Sequence, residues 1–87
     1  MKSIEAIINN KVGLHARPAT FFAQLAQEYE SDINVIFDDK TVNAKSVMGL
    51  LSLGITESVV ITITADGSDE EEALKNLTAL VESNFGE

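Results

Sequence analysis

The sequence predicts an α+β fold, a two-layer open-faced sandwich with elements in the order βαββαβα. Three observations carry this. Four short stretches alternate apolar and polar residues with the period of a half-buried strand. Two longer stretches space their apolar residues as a helix does, and a short apolar run between capping residues adds a third helix. No linker, repeat or low-complexity tract interrupts the 87 residues, so residues 1–87 are read as one domain. A chain of this length buries one modest core, and its 45% hydrophobic content is ample for that.

The first strand is Lys2 to Ile8, with Ile4, Ala6 and Ile8 on one face. Asn9-Asn10-Lys11 breaks it, and Gly13 allows a sharp turn. A helix follows from about Ala16 to Glu28. Its start is ambiguous, because Pro18 disfavours helical geometry at Arg17, so Pro18 is an alternative first residue. The apolar stripe is Ala19, Phe22, Leu25, Ala26 and Tyr29. Arg17, Thr20, Phe21, Gln24 and Glu28 form the opposite face, where Phe21 is out of place.

Ile33, Val35 and Phe37 alternate in the second strand. Asp38-Asp39 is a turn and Thr41-Val42 a short third strand, together a hairpin. Ser46 to Leu53 reads as a short helix, with Ser46 as N-cap and Gly54 as the stop. Val59, Ile61, Ile63 and Ala65 form a fourth strand, and Asp66-Gly67 turns. Ser68 and Glu71 are spaced as a capping box for the last helix, whose buried stripe is Leu74, Leu77, Leu80 and Val81.

Composition excludes several functions. With no cysteine there is no disulfide, thiolate cluster or thiol nucleophile. A single histidine excludes zinc sites that need several imidazoles, and no metal or other cofactor is expected. The net charge of −8 argues against direct nucleic-acid binding. No long apolar run reads as a secretion signal or membrane span, and a cytoplasmic monomer is expected. The charges are unevenly placed: Asp69-Glu70-Glu71-Glu72 is acidic, whereas Lys11, Arg17 and Lys45 lie near two motifs. An acidic body with one locally positive patch follows.

The first motif holds the chain's only histidine, arginine and proline: His15, Arg17 and Pro18. They fall where the first strand gives way to the helix. Backbone N–H groups at a helix start lack intrahelical acceptors, and the helix dipole favours negative charge there. Arg17 adds a permanent cation able to grip phosphoryl oxygens in bidentate fashion. An imidazole, with an ordinary pKa of about 6.5, is largely an unprotonated nucleophile near neutrality. The group fits a histidine that accepts a phosphoryl group as a phosphoramidate. On chemistry alone it equally fits a His and an Arg that decorate a helix end.

Gly13-Leu14-His15-Ala16-Arg17-Pro18-Ala19 resembles the active-site motif of the HPr family, histidine-containing phosphocarriers of the phosphoenolpyruvate:sugar phosphotransferase system. Lys45-Ser46-Val47-Met48-Gly49-Leu50-Leu51-Ser52-Leu53-Gly54-Ile55 is similar to the family's second signature. The resemblance spans nearly the whole chain. It implies an antiparallel sheet in the order 1-4-2-3 with three helices on one face. It implies that His15 is phosphorylated on Nδ1 by phosphorylated enzyme I and passes the group to IIA domains of sugar-specific enzyme II, with Arg17 assisting. The histidine is then a covalent carrier rather than the centre of an independent enzyme.

Ser46 has two readings. As an N-cap it is worth about 1 kcal/mol against alanine. The resemblance adds regulatory phosphorylation by an HPr kinase/phosphorylase, although relatives without that kinase also keep the serine. A phosphoserine brings roughly −1.5 to −2 charges, locally favourable beside Lys45. The short helix has more apolar surface than one core face needs: Leu50 and Leu53 fall on one side, Val47, Met48 and Leu51 on another. Either a small domain buries both sets, or the second stays exposed near Thr20, Phe21 and Gln24. The second is favoured, because apolar residues ringed by polar ones suit docking. The resemblance assigns these positions, with Lys45, to a surface shared by enzyme I, IIA domains and, after Ser46 phosphorylation, a catabolite-control transcription regulator.

Two other assignments are a regulatory binding module on the same fold and the nitrogen-branch paralogue. His15 argues against the first, because modules of that type lack the histidine. Val47-Met48-Gly49 after Ser46 fits the sugar branch better than the second. The sequon Asn76-Leu77-Thr78 lies on a helix, Tyr29 is read as core packing, and Glu70 to Glu72 as a solvated helix start. Gly54-Ile55-Thr56-Glu57-Ser58 departs from relatives that have a glycine near Ser58.

Overall fold

Four strands pair in the order β1-β4-β2-β3, all antiparallel. They are β1 (Lys2–Ile8), β2 (Asp32–Phe37), β3 (Lys40–Asn43) and β4 (Val59–Asp66), and the helices are α1 (Ala16–Ala26), α2 (Val47–Leu51) and α3 (Glu70–Glu82). The computed structural model describes residues 1–8, 16–56, 59–83 and 85. The βαββαβα order and the open-faced sandwich are as the sequence predicts.

Register follows the alternation. Ile4 pairs with Ile63 and Ala6 with Ile61, while Val35 pairs with Ile63 and with Val42. A one-residue slip would turn each of these side chains to the other face. The core lies between that face and the helices: Ile8, Val35, Ile61 and Ile63 meet Phe22, Leu50, Leu77 and Val81. Full burial of each large side chain contributes about 1.5–3 kcal/mol. Ile4 belongs to the same face but lies near the sheet margin and is 38% exposed. On the uncovered face the paired Ile7 and Val60 are exposed.

The hairpin turn has the residues expected, and Asp38 takes a φ of 59°. Positive φ suits the twist of two-residue loops, and Asp tolerates it better than most side chains. The third strand is longer than Thr41-Val42, because Lys40 pairs with Phe37 and Asn43 with Asn34.

Two helix ends differ from the sequence reading, while the start of α1 agrees with it. α1 begins at Ala16, and Pro18 is accommodated in its first turn, where an N–H has no intrahelical acceptor. It ends at Ala26 rather than Glu28: the Glu28 and Tyr29 amides bond three residues back, to Leu25 and Ala26 at 3.0 and 3.2 Å, so the last turn tightens. α2 is confined to Val47–Leu51, and Leu53 and Gly54 make the same three-residue bonds, to Leu50 and Leu51. Gly54 has a φ of 65° and ends the run as expected.

The capping box of Ser68 and Glu71 does not form. Asp69 is the N-cap residue of α3, and Glu71 is paired with Lys2 of β1 instead. Asp69 does not cap with its side chain either. Its carboxylate accepts the backbone N–H of Glu30 at 2.9 Å, the N–H of Ser31 at 3.0 Å and the Ser31 hydroxyl. Glu70 accepts the Gly67 N–H at 3.1 Å. The helix start is thus used to tie down the loop that follows α1. These bonds, the Ser31 hydroxyl first, hold the Asp69 carboxyl below its usual value of 3.8.

The α3 stripe contains Leu74, Leu77 and Val81 as expected, with Ala73 added and Leu80 half-buried. Phe85, not singled out in the sequence, is 1% exposed. It takes a φ of 59°, a costly conformation for a bulky residue, offset by its burial.

Candidate functional site

The site is built from the start of α1 and from α2, which pack against each other on the helical layer. His15 and Lys11, with Val12, Gly13 and Leu14 between them, lie outside the described residues, as do Glu57 and Ser58. Ala16, the next residue in the chain, opens α1. Pro18 and Ala19 are buried and anchor this end of the helix.

Arg17 is exposed, and its guanidinium carbon lies 5.9 Å from the centroid of the Phe21 ring. This accounts for an aromatic residue on the polar face. Phe21, 37% exposed, stands one turn beyond Arg17 and offers its ring to the cation. Thr20 donates its hydroxyl to the Ala16 carbonyl at 2.7 Å and is half-buried, whereas Gln24 is exposed.

Ser46 caps α2. Its backbone is extended, with φ −108° and ψ 113°, and its hydroxyl accepts the Gly49 N–H at 3.0 Å. This is one of the orphan donors of a helix start, so the capping reading of Ser46 holds. A Cβ on Gly49 would come within 3.3 Å of the Ser46 Oγ, so the glycine keeps room for the cap.

The two sides of α2 separate as the angular placement predicts, with a qualification. Leu50 and Leu53 are buried and Met48 is 76% exposed. Val47 and Leu51 are half-buried and pack on the core, so the exposed part of this apolar patch is chiefly Met48. The five-residue helix is too short to project three side chains clear of α1.

Lys45 is half-buried, and its ammonium donates to the Tyr29 carbonyl at 2.7 Å. The Lys45 carbonyl accepts from Gln27 Nε2 at 2.9 Å, and its N–H donates to the Asn43 side chain at 2.9 Å. Tyr29 does more than pack: its hydroxyl accepts from Asn76 Nδ2 at 2.6 Å. The Asn76 amide of the sequon is therefore engaged within the fold. Gln27 and Phe85 were not visible as site neighbours in the sequence. A glutamine at a helix end carries no signal of its partner 18 residues away. Phe85 and Leu80 close a shallow groove of about 400 Å³ beside Phe21, Gln24, Leu25 and Glu28.

Among the described residues no cluster of His, Asp and Glu is arranged to hold a metal ion, and no helix is long and apolar enough to cross a membrane.

Comparison with known proteins agrees with the fold and the motifs. Residues 2–83 match the family model described as the PTS HPr component phosphorylation site. A phosphocarrier protein HPr of Neisseria meningitidis is 45% identical over 86 residues, 99% of this chain and 94% of that protein. The crystal structure of an HPr from Thermoanaerobacter tengcongensis is 53% identical and superposes with a TM-score of 0.96, over all of this chain and 98% of that one. The catabolite-repression protein Crh of Bacillus subtilis, crystallised as a swapped dimer, is 43% identical with a TM-score of 0.77, over 97% of each chain. The fold and these similarities define a phosphocarrier of the phosphotransferase system. The chain belongs to the HPr family.

Proposed function

We propose that His15 is the residue that carries the phosphoryl group. Its Nδ1 lone pair attacks phosphorus on phosphorylated enzyme I. A new N–P bond forms, the bond to the donor breaks, and the donor atom keeps that electron pair. A second transfer of the same kind moves the group from His15 to a IIA domain of a sugar-specific enzyme II. Arg17 balances the charge on the phosphoryl oxygens. The observation that carries this reading is the match of residues 2–83, a span that includes His15, to a phosphorylation-site family.

Thr20, Phe21, Gln24, Lys45, Val47, Met48 and Leu51 form the surface on which enzyme I and IIA domains dock. The exposed Met48, and the exposed Phe21 with Arg17 and Gln24 beside it on α1, support this. Ser46 is a second phosphorylation site, used by an HPr kinase/phosphorylase. A catabolite-control transcription regulator reads the product. The likeness to a catabolite-repression protein supports that half of the reading. The chain works in the cytoplasm as a single-domain monomer.

Incubation with phosphoenolpyruvate and enzyme I should yield one acid-labile phosphoryl group, lost in His15→Ala. Transfer that persists in His15→Ala refutes the assignment. With ATP and an HPr kinase, phosphate should appear on Ser46, and its appearance on Ser52 refutes the regulatory reading. Sedimentation of the full chain tests the monomer.

A further inference from the structure

We propose that Lys45 serves the phosphocarrier as a positioning residue, fixing α2 against α1 through Tyr29 and Gln27, rather than as a charge offered to partners. This rests on the docking reading above, which it deepens by giving one of the seven surface residues a different task.

Lys45 stands immediately before the N-cap Ser46 and is half-buried. One contact runs from its ammonium to the Tyr29 carbonyl at 2.7 Å, in the turn that leaves α1. Another runs the opposite way, from Gln27 Nε2 to the Lys45 carbonyl at 2.9 Å. A third holds its N–H on the Asn43 side chain at the end of β3. Tyr29 is not free to follow Lys45, because its hydroxyl is bound to Asn76 of α3 at 2.6 Å. The start of α2 is therefore tied to α1, β3 and, through Tyr29, α3.

α2 has only five residues and buries one side chain fully, Leu50. Such a helix has little intrinsic stability, so its placement depends on tertiary ties. Its placement fixes where Met48 stands relative to Phe21 and Gln24. A hydrogen bond from a charged donor to a carbonyl is stronger than a neutral one, and a half-buried site strengthens it. With its ammonium turned to the Tyr29 carbonyl, Lys45 keeps its charge but holds one donor inside the fold rather than offering it to a partner.

The test uses the full chain as substrate of enzyme I, with KM, kcat and the salt dependence of KM measured for Lys45→Met, Gln27→Ala and the double variant. The inference expects both single variants to raise KM by about two- to tenfold with kcat kept, matching the worth of one hydrogen bond. The double variant should do little more than the worse single one, because both ties act on the same helix. The salt dependence of KM should change little, because the ammonium lost in Lys45→Met makes no ion pair with the partner. The Met48 methyl resonance should move in both variants. If Lys45→Met alone raises KM and flattens the salt dependence, Lys45 is a contact charge and the inference fails. Unchanged KM in both single variants, or additive effects, also overturns it. Met48→Lys separates the two readings: if it leaves KM unchanged, the docking surface itself is misassigned.

Discussion

The guanidinium of Arg17 and the ring of Phe21 face each other one helical turn apart on α1, 5.9 Å from cation to centroid. An exposed contact of this kind is worth about 0.5–1 kcal/mol. On the proposed mechanism it holds the arginine near the end of α1 that His15 precedes. Phe21→Leu keeps an apolar side chain but removes the ring face. It should lower kcat for phosphoryl transfer by about two- to fivefold, the same energy read as a rate, with KM nearly unchanged. Phe21→Tyr should keep the parent kcat. Single-turnover transfer from phosphorylated enzyme I separates the two constants, and an effect confined to KM would make Phe21 a docking contact only.

Asp69 joins two loops distant in sequence by accepting the Ser31 hydroxyl and the amides of Glu30 and Ser31. The bonds favour the carboxylate, so its pKa in the folded protein lies below the usual 3.8. A depressed folded pKa means that the folded state binds the proton less readily than the unfolded one. The stabilisation is complete above the unfolded value and is lost as pH falls toward and through the folded value. Glu71, lowered by its pairing with Lys2, acts in the same direction. Urea midpoints of Asp69→Asn should therefore fall below the parent's at pH 7, with the gap narrowing below about pH 4. A gap of constant size across that range would assign the effect to packing alone.

The order of elements was legible because periodicity is local: Ile33, Val35 and Phe37 alternate whatever they pair with. The strand order was not, since nothing in β1 names β4 as its neighbour, and it came from the family resemblance. The failed capping box marks the same boundary. Ser68 and Glu71 have the right spacing, but Lys2, 69 residues away, captures the glutamate. Asp69 reads in the sequence as part of an acidic run, and its partners Glu30 and Ser31 lie 39 and 38 positions earlier. At the site, Ser46 was readable as a cap because its acceptor role is local. The Lys45–Tyr29 and Gln27–Lys45 bonds, which join different elements, carried no sequence signal.

Ser46 accepts the Gly49 N–H, so its loss should weaken α2 even without any phosphorylation. Ser46→Ala should cost about 1 kcal/mol. For a domain of this size that lowers the melting temperature by about 4–8 °C. Aspartate caps as well as serine, so Ser46→Asp should melt near the parent. Calorimetry on the three proteins checks this. Equal melting of Ser46→Ala and the parent would mean that the cap contributes nothing and α2 is held by its tertiary ties alone.

Two glycines separate conformational strain from steric exclusion. Gly54 has a φ of 65° with no atom within 4 Å of where a Cβ would stand, so only the backbone resists a side chain. Gly54→Ala should cost about 1–2 kcal/mol, and Gly54→Asn clearly less, because asparagine tolerates the left-handed region. Gly67 is the opposite case. Its Cβ would stand 2.6 Å from the Ser31 Oγ and 2.7 Å from the Ser31 Cα. Gly67→Ala should cost about 1–3 kcal/mol by overpacking. Adding Ser31→Gly removes the hydroxyl but leaves the Cα in place, and it also takes a donor from Asp69. The double variant should therefore be no more stable than Gly67→Ala alone in urea unfolding. Full recovery in the double variant would show that the side chain, not the backbone of the 30–31 loop, sets the close approach.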